Sequence, residues 1–130
     1  MSRNEQLLVV KQFASFTACG AVGTAAHYSA LIALVHGLQV SPVPASAIGF
    51  TIGALVNYSL NYRLTFRSKR LHRDSMPKFF AVALAGLLLN TAIMALLTTR
   101  LSVHYLIAQI IATGVVLMWN FAVNRWWTFR

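Results

Sequence analysis

Acid is what this 130-residue chain lacks most: its only carboxylates are Glu5 and Asp74, against eleven lysines and arginines. With neither acid in an apolar segment, no buried carboxylate is present to bind a proton, a sodium ion or a metal. That excludes the carboxylate-coupled antiporters, including small multidrug-type exporters of similar length. A catalytic pair of acids, a Ser/His/Asp set and a phosphate-cradling glycine loop are missing too. The four histidines, His27, His36, His72 and His104, fall on separate segments without metal-ligand spacing. One cysteine, Cys19, allows no internal disulfide and reads as a small packing residue. No enzyme, no cofactor and no metal is expected.

Charge of either sign is scarce. Only 10% of residues are charged and 58% are hydrophobic, with a mean hydropathy of +0.64; a soluble domain carries about 25% charged residues. Apolar runs of about 20 residues cross a bilayer, and four such runs stand at roughly 12–35, 43–62, 79–99 and 104–124. The first exceeds the apolar core of about 7–15 residues in a signal peptide, so it reads as a retained span.

A duplication organises these spans. Displaced by 63 positions, the chain matches itself without a gap: Phe16 meets Phe79, Gly23 meets Gly86, Ala45 meets Ala108 and Ile48 meets Ile111. Asn57 and Asn61 fall on Asn120 and Asn124, and Thr65-Phe66-Arg67 falls on Thr128-Phe129-Arg130. The expected fold is an all-α membrane protein with four transmembrane helices, a single domain over 1–130. It comprises two tandem two-helix repeats, 1–67 and 68–130, in the same orientation. Repeats of that kind are related by an axis along the membrane normal.

The net charge of +9 suggests nucleic acid until its placement is read. Arg3, Lys11, Arg63, Arg67, Lys69, Arg70, Arg73, Lys78, Arg125 and Arg130 lie at the two ends or in the middle loop, leaving Arg100 alone elsewhere. The positive-inside rule then puts both termini and the 63–78 loop in the cytoplasm. No nucleic-acid partner is expected; the basic loop suits anionic membrane lipids and phosphates.

The second helix carries Ala45, Gly49, Gly53, Asn57 and Asn61 at four-residue intervals, on one slowly drifting face. Gly49 and Gly53 form a GxxxG pair that lets helix backbones approach closely. The fourth helix repeats the stripe as Ala108, Ala112, Val116, Asn120 and Asn124. At 1.5 Å per residue, Asn57 lies about 9 Å and Asn61 about 3 Å inside the level of Arg63. These amides either cross-link helices or line a polar cleft, and the two roles are compatible. A deeper polar pair, His27 and Asn90, is again 63 apart; polar groups inside membrane helices are candidates for function.

Several stretches carry a resemblance: Phe16…Gly20-Ala21-Val22-Gly23…His27, then Gly49…Gly53…Val56-Asn57-Tyr58…Asn61-Tyr62-Arg63-Leu64-Thr65-Phe66, and the ending Trp119-Asn120-Phe121…Asn124-Arg125-Trp126-Trp127-Thr128-Phe129. Over nearly its whole length the chain resembles the GtrA-like family of small four-helix bacterial membrane proteins. The resemblance implies residence in the bacterial cytoplasmic membrane as a multi-pass protein. It also implies flipping of polyprenyl-phosphate sugars, such as undecaprenyl-phosphate glucose, for O-antigen, teichoic acid or similar glycans. A polyprenyl-phosphate glycosyltransferase would be the partner, and a homodimer is plausible from the small volume that four helices enclose. One departure is His27, at a position where the family often has Asp.

Such a cargo suits the residues present. Asn57, Asn61, Asn120, Asn124, His27 and Asn90 would hydrogen-bond sugar hydroxyls, because an amide both donates and accepts. Arg63 and Arg125 border the asparagines and would take the phosphate through a bidentate fork. Tyr58 and Tyr62, with Phe121, Trp126 and Trp127, would stack on the sugar or belt the interface. A different class of role, a non-transporting scaffold for the glycosyltransferase, needs none of the inward amides.

Overall fold

The computed structural model describes residues 2–65 and 72–123. Four α-helices follow one another: α1 (Arg3–Ile32), α2 (Pro42–Leu60), α3 (His72–Ala95) and α4 (Tyr105–Val123). No strand occurs among the described residues.

Each helix runs antiparallel to the next, as paired contacts with opposed numbering require. On α1 and α2, Gly23 faces Gly53 while His27 faces Gly49. Between α2 and α3, Phe50 abuts Gly86 and Tyr58 meets Phe79. Between α3 and α4, Gly86 meets Val116 and Asn90 bonds Gln109.

The helices differ from the expected limits in ways with local causes. α1 begins at Arg3 rather than near residue 12, because Ser2 caps it: the Glu5 amide donates to Ser2 Oγ at 3.1 Å and the Ser2 amide to Glu5 Oε2 at 3.3 Å. α3 likewise begins at His72, not 79. Helical coiling also passes the ends of α1, α2 and α3 as widened π-type turns, Ala33–Gly37, Asn61–Thr65 and Leu96–Arg100.

Two of those turns are alike. Gln39 and Ser102, 63 apart, both take left-handed backbone, with φ of 59° and 54°. In each case the valine that follows donates back to a leucine: Val40 N–H to Leu34 O at 2.9 Å, and Val103 N–H to Leu97 O at 2.8 Å.

Three helices are long and apolar enough to cross a membrane: Thr17–Gly37, Pro42–Arg63 and Phe79–Arg100. The fourth expected span is the shorter apolar helix Tyr105–Asn120 among the described residues. The outward side chains are hydrocarbon, including Leu88, Ile110, Leu117 and Met118. Such an exterior is stable only against lipid. This is a multi-pass membrane protein.

Near the turns at Gln39 and Ser102 the bundle is closed by Leu31, Ala45, Met94, Tyr105, Ala108 and Ala112, all buried. The small alanines at four-residue spacing let helices lie close, and Leu31 and Met94 fill the remaining space.

Candidate functional site

The first hairpin meets backbone to backbone. A methyl added at Gly53 would sit 2.6 Å from the Gly23 carbonyl oxygen, and one at Gly49 would sit 2.7 Å from the His27 carbonyl. The inward GxxxG face thus packs against Gly23 and His27 of α1. Asn57 continues this seam, since a methyl at Gly23 would come within 2.9 Å of Asn57 Cβ. The second hairpin has Ala112 and Val116 where the first has Gly49 and Gly53, so side chains hold α3 and α4 apart. The Phe50 ring of α2 enters beside Gly86.

The predicted amides occupy different settings. Asn61 is buried and donates through Nδ2 to Asn57 Oδ1 at 2.6 Å, along one helix edge. Of the two, Asn57 lies against Gly23 of α1. Asn120 is half-buried, and its Oδ1 is buried without a hydrogen-bond partner. Tyr58 stacks on Tyr62 with centroids 6.0 Å apart and meets Phe79 at 4.5 Å. Arg63 is exposed at the same end. Asn124, Arg125, Trp126, Trp127 and the Phe121 side chain lie outside the described residues.

Deeper in the bundle Asn90 is fully buried in a closed ring of hydrogen bonds. Ser46 Oγ donates to Gln109 Oε1 at 2.5 Å, Gln109 Nε2 donates to Asn90 Oδ1 at 2.9 Å, and Asn90 Nδ2 donates to Ser46 Oγ at 2.8 Å. Each member gives one bond and receives one around the ring, and all three have zero exposure. Gln109 reaches Thr113 Oγ1 at 3.4 Å, and Thr113 pairs with Tyr28 OH at 2.9 Å. Side chains from all four helices therefore share one polar network. In a low-dielectric interior a fully satisfied network rigidifies what it joins.

His27 stands beside this network, buried, edge-on to Tyr28 at 5.3 Å and to Phe50 at 5.9 Å. Gln109 is its polar neighbour, yet Nε2 has no partner within hydrogen-bonding geometry. His27 and Asn90, paired by the self-match, are thus both neighbours of Gln109.

Sequence reasoning passed over Ser46, Gln109, Thr113 and Tyr28. Ser46 and Gln109 are a self-match pair, but a serine and a glutamine share no identity that would flag them. Their signal was polarity at one register position in otherwise apolar helices.

At this depth the site offers amides, hydroxyls and an imidazole, a set that can donate to and accept from hydroxyls and water. A shallow depression lined by Ala95, Leu96, Thr99 and Arg100 lies at the other end from the asparagines. A family model described as the GtrA/DPMS transmembrane domain matches residues 15–129. No curated protein and no solved structure shows significant similarity to the chain.

Proposed function

This chain belongs to the GtrA/DPMS transmembrane-domain family, and we propose that it carries polyprenyl-phosphate-linked sugars across the bacterial cytoplasmic membrane. The cargo, of which undecaprenyl-phosphate glucose is the type, moves from the cytoplasmic to the outer leaflet. There the sugar modifies O-antigen, teichoic acid or a similar surface glycan. The protein makes and breaks no covalent bond in this reading; a glycosyltransferase partner loads the lipid, and consumption outside draws it across.

One observation carries the reading: a hydrogen-bonding network of neutral polar side chains, contributed by all four helices, inside a hydrocarbon-facing bundle. A sugar head needs hydroxyl partners at depth, while the prenyl tail needs only lipid beside the helices. Asn57, Asn61 and Asn120 offer amides nearer the end that carries Arg63, whose guanidinium suits the phosphate. In the sequence, Asn124 and Arg125 supply a further amide and arginine in the second repeat.

The architecture we infer is two tandem repeats in the same orientation, with both termini cytoplasmic. The copied turns at Gln39 and Ser102 and the pairing of Ser46 with Gln109 support the duplication. The basic residues at the ends and in the 63–78 loop support the orientation. Rocking of one repeat on the other, or a path between two protomers, would open the route.

The closely packed α1–α2 seam favours a second reading, in which the bundle anchors a glycosyltransferase without moving lipid. Reconstitution separates the two. Labelled undecaprenyl-phosphate glucose should cross proteoliposomes that contain the purified protein, and slow with Asn57→Ala, Asn61→Ala, Asn120→Ala or Arg125→Ala. A protein that copurifies with a glycosyltransferase yet moves no lipid would leave the anchor standing.

A further inference from the structure

Among the described residues three buried side-chain atoms have no hydrogen-bond partner: His27 Nε2, Tyr105 OH and Asn120 Oδ1. They are not scattered. Tyr105 and Asn120 sit on α4, and His27 sits against Gln109 of α4. Tyr105, Gln109, Thr113 and Asn120 follow one another at steps of four, four and seven, which is a single helix face. The 15 residues from Tyr105 to Asn120 span about 22 Å at 1.5 Å per residue, most of a hydrocarbon core about 30 Å thick.

Polar atoms without partners are expensive inside a membrane protein, where lipid supplies none. One orphan is a local accident. Two toward the ends of one helix face, with a third on α1 against Gln109 of that face, mark places where something else supplies the bond.

We propose that the inward face of α4 is a hydroxyl-binding track running most of the way through the bilayer. Its stations are Asn120, the Gln109–His27 pair flanked by Thr113, and Tyr105. This deepens the proposed function and rests on it for the identity of the cargo. The unpartnered atoms are an amide oxygen at Asn120, a ring nitrogen at His27 and a hydroxyl at Tyr105. That pattern is met by O–H groups, whether of a sugar or of water. No cation lies on the track, so the hydroxyl-bearing head is what it recognises and not the phosphate. Gln109 is the central station because it already exchanges bonds with Ser46, Asn90 and Thr113. A passing hydroxyl can take the place of one of these partners without leaving the glutamine unpaired.

Two measurements on the full chain in proteoliposomes test the track. The first uses a membrane-impermeant thiol reagent on Thr113→Cys and on Ile110→Cys, each with Cys19→Ala. Ile110 is 62% exposed on the outer, lipid-facing side. Thr113→Cys should be labelled and Ile110→Cys spared; labelling no faster at 113 than at 110 overturns the proposal. The second uses Tyr105→Phe, which removes a hydroxyl that has no partner to lose, so the fold should keep its melting temperature. Translocation of labelled polyprenyl-phosphate sugar should slow roughly two- to tenfold, the worth of one hydrogen bond. An unchanged rate, where the unsubstituted chain translocates, overturns it. If the unsubstituted chain moves no lipid while Thr113→Cys is still labelled, the cargo assignment fails and the track stands as a hydrated path.

Discussion

Ser46 on α2 and Gln109 on α4 are joined by a 2.5 Å hydrogen bond, both fully buried, and they are 63 positions apart in the chain. Equivalent residues of two copies related by a two-fold axis touch only where the axis passes. Asn90 bonds both of them, and His27, its counterpart in the self-match, is also a neighbour of Gln109. On the duplication we propose, the polar ring marks the axis. A bundle whose parts move about that axis must strain or remake these bonds.

Truncating the ring should cost more than the bonds it removes. Gln109→Ala leaves the Ser46 hydroxyl and the Asn90 carboxamide buried with lost partners, and a destabilisation of about 1–3 kcal/mol is expected. A double-mutant cycle with Ser46→Ala should give a coupling between about 0.6 kcal/mol, the average for hydrogen bonds between membrane helices, and their maximum of about 1.7 kcal/mol. Unfolding in detergent measures both.

Glycine to alanine should act with opposite signs at different sites. At Gly53 a new methyl meets the Gly23 carbonyl oxygen at 2.6 Å, so Gly53→Ala should push the hairpin apart and lose about 1–3 kcal/mol. At Gly20 and Gly114 nothing lies within 4 Å of the added carbon. There the substitution should gain about 0.4–1 kcal/mol, since glycine is a poor helix former. Thermal melts of the three variants side by side give the comparison.

The two left-handed residues make a matched pair of tests. L-residues in this conformation carry a penalty of roughly 1–2 kcal/mol, which glycine avoids. Gln39→Gly and Ser102→Gly should each raise stability by up to about 1 kcal/mol, by similar amounts, because the two turns share their hydrogen bonds. Melting temperatures of the single variants check the equality.

Asn120 separates stability from transport. Its Oδ1 has no partner, so Asn120→Leu should be neutral or stabilising by a few tenths of a kcal/mol in lipid. If Asn120 serves the cargo, the same variant slows translocation. Loss of rate with a melting temperature held or raised is the expected combination.

Much of this fold was legible beforehand because the bilayer imposes simple rules. Three of the four apolar runs lie close to the helices long enough to cross, since length and hydropathy decide that question. The four-residue spacing of Ala45, Gly49 and Gly53 was equally legible, as only an inward face tolerates such small residues in series; all three are buried. The early start of α1 was written in Ser2 and Glu5, but a capping box ahead of the apolar run leaves no trace in hydropathy.

The polar interior was not legible in the same way. Asn57 and Asn61 drew attention because they recur as Asn120 and Asn124, and Asn57 packs against Gly23 in the α1–α2 seam. Gln109, which recurs as nothing similar, holds the centre. Spacing tells which residues share a face of one helix, and it says nothing about which faces of α2, α3 and α4 meet or at what height.

The amino-acid order by itself determined that this protein lives in lipid, how many apolar segments it has and which edges of them turn inward. Those follow from transfer free energies and helical periodicity, which act within a segment. Only the tertiary structure decided that Ser46, Asn90 and Gln109 close a ring and that polar atoms of Tyr105, Asn120 and His27 go unpartnered. Hydrogen bonds between helices depend on crossing angle and relative depth, and these are settled by packing across the whole bundle.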